Sequence, residues 1–118
     1  MDSLSDLSKR IDDFVNQRHW KEFQTPKNLV MALTAEVGEL NECFMWLSPE
    51  ESRNMDDKHR HAVGEEMSDV LIYLARLADE MGIDLVAAAH AKCDKNNRKY
   101  PKEAFQGETL RPHEYKER

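Results

Sequence analysis

The chain is short of residues that break helices. Four glycines and four prolines in 118 residues leave long stretches without a turn signal, which counts against a strand-and-turn architecture and favours helices. Cysteine is scarce as well: Cys43 and Cys93 stand alone inside helical patterns. That usage excludes a disulfide framework, offers no thiolate metal spacing and suits a reduced, cytoplasmic setting. No apolar run approaches about 18 residues and no signal peptide opens the chain, so a soluble protein without a membrane partner is expected. Positive charge is in deficit. With 17 Lys and Arg against 23 Asp and Glu, a formal charge of −6 and no basic tract, nucleic acid binding by phosphate neutralisation is not expected. Also missing are a phosphate-cradling glycine loop, an HExxH zinc motif, an EF-hand loop and the Glu-x-x-His pairs of a di-iron bundle.

What is present is helical periodicity. The length suits one domain with a modest core, expected over 1–101, with a loose polar tail over 102–118. Ser3 or Ser5 caps a first helix in which Leu4, Leu7, Ile11, Phe14 and Val15 recur at helical spacing to about Arg18. The segment 19–24 breaks that pattern and carries Trp20 and Phe23. Thr25 then caps a second helix with Pro26 at its first position, expected to run to about Leu47. Ser48 and Glu51 make a possible capping box with Pro49 at the first position. A loose, partly helical connection is expected over 49–61. It holds Asp56 and His59, read as a solvated loop in preference to a metal site. A third major helix is expected over 61–81. Gly82 ends it and Asp84 caps the next, Leu85 to about Lys99, with Leu85, Val86, Ala89 and Cys93 inward. Tyr100-Pro101 stops that helix, whose basic end suits the helix dipole.

The chemistry lies in two acid pairs. Glu36 and Glu39 on one helix, and Glu66 and Asp69 on the other, are each three residues apart. At about 100° per residue such a pair lies about 60° apart and can hold one ion from two directions. Leu29, Leu33, Val37, Leu40, Phe44 and Leu47 form the first apolar stripe; Val63, Val70, Leu74, Leu77 and Met81 form the second. The acids sit on the shoulders of these stripes, each pair followed by an aromatic, Trp46 or Tyr73. Packed stripe to stripe, the helices bring four carboxylates to the rim of one core. That costs several kcal/mol unless a cation compensates. An all-oxygen set suits Mg²⁺ first and Mn²⁺ second. Gly38, between the first two acids, would permit close approach of a helix or ligand. Glu42, Glu65 and Glu80 read as structural. Acids, aromatics and the cations Lys92, Lys95, Arg98 and Lys99 together suit a polyphosphate ester.

The stretches Pro26-Lys27-Asn28-Leu29, Glu36-Val37-Gly38-Glu39-Leu40, Trp46 and Glu66-Met67-Ser68-Asp69 through Tyr73-Leu74 resemble the MazG-like all-α nucleoside triphosphate pyrophosphatases. They are most similar to the dCTP pyrophosphatase branch. The resemblance runs from about Trp20 to Pro101. It implies an all-α bundle of four to five helices, oligomeric, with a dimer of dimers typical and pockets shared between chains. Met45, Trp46 and Leu47 agree, being hard to bury in one protomer. It also implies Mg²⁺-dependent hydrolysis of a deoxynucleoside triphosphate, dCTP or a modified dCTP favoured, to monophosphate and pyrophosphate in nucleotide pool sanitation. Glu36, Glu39, Glu66 and Asp69 would bind the metal, with Glu36 or Glu39 orienting or deprotonating the attacking water. Trp20, Phe23, Gln24, Trp46 and Tyr73 would line the nucleotide pocket, and Lys92, Asn96 and Arg98 would face the polyphosphate or sugar. Gln24 and the Ser48–His61 connection depart from that branch, which leaves base preference open. The alternatives are a pyrophosphatase acting on dATP, on dNTPs broadly or on phosphoribosyl-ATP, and a non-catalytic helical adaptor.

Overall fold

The structure is a computed structural model that describes residues 3–105. Five α-helices follow one another: α1 (Leu4–Gln17), α2 (Pro26–Glu42), α3 (Pro49–Arg53), α4 (Asp57–Glu80) and α5 (Leu85–Lys99). Short 3-10 turns at Lys21–Phe23 and Lys102–Ala104 complete the elements, and no strand occurs among the described residues. The fold is all-α, as the sequence implies. Among the described residues no helix is long and apolar enough to cross a membrane. From residue 106 onward the expected tail lies outside the described residues.

Local chemistry sets the helix starts. Each N-cap side chain satisfies a backbone donor that the first turn leaves orphaned. Ser3 Oγ accepts from the Asp6 N–H at 3.1 Å, Thr25 Oγ1 from Asn28 at 3.2 Å and Asp84 Oδ1 from Ala87 at 3.1 Å. At α3 the capping box closes in both directions, with the Ser48 N–H donating to Glu51 Oε1 at 2.9 Å and the Glu51 N–H to Ser48 Oγ at 3.1 Å. Two helices end in Schellman motifs. After α4 the Ile83 N–H reaches Ala78 O at 2.8 Å across Gly82, whose φ is +65°. After α1 the Trp20 N–H reaches Val15 O at 3.1 Å, and the left-handed position is filled by His19 at φ +55°.

Two boundaries differ from expectation. α2 stops at Glu42, and residues 43–47 continue in tight turns, with Cys43 N–H bonded to Leu40 O and Leu47 N–H to Phe44 O. Pro49 forces Ser48 into extended backbone, φ −73° and ψ 162°, so the chain must leave its helix before the capping box. Trp46 therefore does not ride the acid-bearing helix and is 85 % exposed. α4 starts four residues before the expected His61, because Asp56 caps it through the His59 N–H at 2.9 Å. The same Oδ1 contacts His59 Nδ1 at 2.6 Å, which makes this pair a helix cap.

The chain divides into two compact units, the first ending at Ile83 and the second beginning at Asp84. In the first, α4 packs against α2 and also against α1. Ile11 and Val15 of α1 meet Ala75 of α4, flanked by Leu4 and Leu7, while Leu29 of α2 is the most deeply buried large side chain. Val37 and Met81, expected in the apolar stripes, are about half exposed. A Cβ at Gly38 would meet nothing within 4 Å, so among the described residues no neighbouring helix packs on that glycine. In the second unit α5 buries no residue; Val86, Ala89 and Cys93, expected inward, are exposed.

Candidate active site

The four acids of the two pairs meet. α2 sets Glu36 and Glu39 one turn apart, α4 does the same for Glu66 and Asp69, and these helices pack on each other. One carboxylate oxygen from each of the four lies within 4.8 Å of all the others. Glu36 and Glu66 are half-buried, and Oε2 of each is sealed from solvent without a hydrogen-bond partner. Burial, then the carboxylate of Glu39, pushes both carboxyls above the ordinary value of 4.5. Among the described residues none of the four forms an ion pair with Lys, Arg or His.

This donor set fits a hard divalent cation. A buried acceptor without a donor is costly, and two such acceptors face a cluster of like charge. Four carboxylate oxygens gathered within 4.8 Å of one another supply the all-oxygen donor set that Mg²⁺ or Mn²⁺ would take.

The aromatics fall in three places. Trp20 follows His19 at the α1 terminus and packs edge-on against Phe14, with ring centroids 5.7 Å apart. Phe23 closes the 3-10 turn and is 64 % exposed. Tyr73 is half-buried on α4, one turn beyond Asp69. Trp46 borders an open cavity of about 850 Å³, together with Glu42, Cys43, Leu47, Met55 and His59.

Gln24 does not stand free. Its Oε1 accepts from Arg76 Nε at 2.9 Å, and Arg76, buried at 3 % exposure, also donates to Glu80 Oε2 at 2.8 Å. Sequence reading assigned Arg76 no role. Its one signal is position, seven residues past Asp69 and set between Ala75 and Ala78 on the same helix. In the second unit α5 puts Lys92 and Asn96 one turn apart on one face, and Arg98, two residues on, faces elsewhere.

Fold and site together define a class: an all-helical protein that gathers four acids from two packed helices into one cluster. The chain belongs to the MazG-like family, which matches residues 31–109. It is 42 % identical to dCTP pyrophosphatase 1 of Bos taurus over 101 residues, 84 % of this chain and 60 % of the bovine protein. Against dCTP pyrophosphatase 1 of Rattus norvegicus the identity is 43 % over 101 residues, 84 % of this chain and 59 % of the rat protein. The chain thus spans about 60 % of the length of these curated relatives. A pyrophosphatase from Archaeoglobus fulgidus shares the fold, with a TM-score of 0.80 and 38 % identity over 86 % of this chain and 95 % of that one.

Proposed function

We propose that the protein hydrolyses a deoxynucleoside triphosphate, dCTP or a modified dCTP favoured, to the monophosphate and pyrophosphate, with Mg²⁺ as cofactor and Mn²⁺ as substitute. The observation that carries this reading is the four-carboxylate cluster with two buried, partnerless oxygens. The similarity to dCTP pyrophosphatase 1 over most of this chain supports the substrate class. One water is consumed, the anhydride bond between the α- and β-phosphates breaks, and pyrophosphate leaves.

Glu36, Glu39, Glu66 and Asp69 would hold the cation. Bound there, it would neutralise polyphosphate charge and acidify water. Glu39 is exposed and its carboxylate acts on both half-buried acids, Glu36 and Glu66, which favours it as the group that would take the proton of the attacking water. Trp20, Phe23, Trp46 and Tyr73 would take the nucleoside, and Lys92, Asn96 and Arg98 the polyphosphate or sugar. The reading carries with it a homo-oligomer, a dimer or a dimer of dimers, in the cytoplasm, with pool sanitation as the role. Neither nucleic acid nor a membrane enters it.

The test is a panel of ribo- and deoxynucleoside triphosphates with and without Mg²⁺, the products identified as mono- or diphosphate. We expect monophosphate and pyrophosphate, dependent on the metal. Glu39→Gln should lower kcat at least about 100-fold, the low end of the contribution of a general base, with helicity retained. Full pyrophosphate release by that variant would falsify the assignment.

A further inference from the structure

We infer that Arg76 is a positioning residue: through Gln24 it ties the corner that carries Trp20 and Phe23 to the acid-bearing face of α4, and so sets affinity for the nucleoside end of the substrate. The inference rests on the proposed nucleotide site and adds to it a residue outside the four acids and the aromatics.

Burial of the guanidinium is the first observation. Arg76 is the one buried charged side chain among the described residues, and an inward arginine is expensive unless its donors are used. Two of its contacts stay on its own helix, Glu80 at 2.8 Å and Asp79 at 3.9 Å. An exposed arginine makes such i+3 and i+4 pairs equally well, so they do not explain the inward seat. The contact that leaves the helix is the Nε–H bond to Gln24 Oε1, spanning 52 positions. Because a guanidinium only donates, Gln24 must present its carbonyl to Arg76 and keep its amide nitrogen as the other end.

Placement of the corner is the second. Gln24 ends the 3-10 turn and precedes the N-cap Thr25. The other bonds of this corner are short-range, from the Trp20 N–H to Val15 O and from Asn28 Nδ2 to Phe23 O at 2.9 Å. Among the described residues, the Arg76–Gln24 bond is the hydrogen bond that joins the corner to α4. Arg76 lies seven residues beyond Asp69, nearly on the same azimuth and about 10 Å along the axis. That offset is comparable with the length of a nucleoside. The bond to Gln24 thus anchors the corner that carries Trp20 and Phe23 to α4 about two turns beyond the acids.

Arg76→Met, Gln24→Met, their double variant and Gln24→Glu test this, each assayed for kcat and KM with the wild type's best triphosphate and for the melting shift caused by Mg²⁺ alone. Arg76→Met and Gln24→Met should each raise KM at least about fivefold with kcat within about twofold, and the double variant should be no worse than Arg76→Met, since both single changes remove the same Arg76–Gln24 bond. Gln24→Glu still accepts from Arg76 and should raise KM less than Gln24→Met does. The Mg²⁺ shift should be unchanged in all four. Wild-type KM in folded Gln24→Met, a kcat loss matching the KM change, or additive effects in the double variant would overturn the latch. Should Arg76→Met fail to fold, Gln24→Met and Gln24→Glu decide the matter between them. A wild type that cleaves no triphosphate overturns the functional reading itself; one that cleaves while these variants keep its KM overturns only the latch.

Discussion

At Glu36 and Glu66 the protein holds two carboxyls against their own chemistry, and the cost has a definite sign. Burial raises both above 4.5, so the native state binds these protons more tightly than the unfolded chain does. Their stabilising contribution is complete below 4.5 and is lost as pH rises through the raised native values. Glu51 and Asp56 act in the opposite direction. Hydrogen bonds at the helix caps lower their carboxyls, so their contribution is present above the ordinary values and fades as pH falls through the lowered ones. In chelator, Glu36→Gln should therefore melt higher than wild type by a few degrees, the gap widening as pH rises above 4.5. Mg²⁺ should close or reverse the gap, because it stabilises the wild type by mass action and the variant less. Equal urea midpoints at every pH, with and without metal, would sink the claim. The acids were legible in sequence because i, i+3 spacing on an apolar shoulder fixes their direction before any tertiary structure forms. Arg76 was not. An arginine in a helix is ordinarily solvated, and its burial depends on a corner of chain far away in sequence.

Elements were legible at most ends where a single capping or turn residue sets the boundary, the start of α4 at Asp56 being the exception. Ser48, Thr25, Asp84 and Gly82 each sit where their chemistry demands, and each boundary they set was readable. The end of α2 was not, because nothing from Glu42 to Leu47 breaks a helix; the constraint comes from Pro49 beyond it. The two Schellman ends allow a paired measurement. Gly82→Ala forces a Cβ into left-handed backbone and should cost about 1 kcal/mol, while His19→Gly relieves the same strain and should gain up to about 1 kcal/mol. Denaturant midpoints of the two variants should move in opposite directions with unchanged slopes. A His19→Gly variant no more stable than wild type would mean that the packing of Trp20 on Phe14, not the turn, holds that conformation.

At the scale of the molecule, much apolar surface stays exposed among the described residues. Hydrophobic residues make up 40 % of the sequence, yet among the described residues the buried apolar side chains are Ile11, Val15, Leu29, Ala75 and Ala78. A domain of this size ordinarily removes about two-thirds of its surface from water, so with a core this thin the proposed homo-oligomer would share stability between copies. Leu7, Ile11, Phe14, Leu71 and Ile72 line a groove of about 440 Å³ between α1 and α4, whose apolar walls would otherwise face water. In sedimentation the protein should run as a multiple of 13.8 kDa, and its melting temperature should rise with concentration. Leu71→Asp puts a charge on a side chain already exposed in the protomer, so local folding should survive while association weakens at least about tenfold, a loss of about 1.4 kcal/mol. A 13.8 kDa species at every concentration would remove the need for a second copy. The exposed side chains of α1 and α4 would then be a surface the monomer tolerates, and the nucleotide site would have to be complete within one chain.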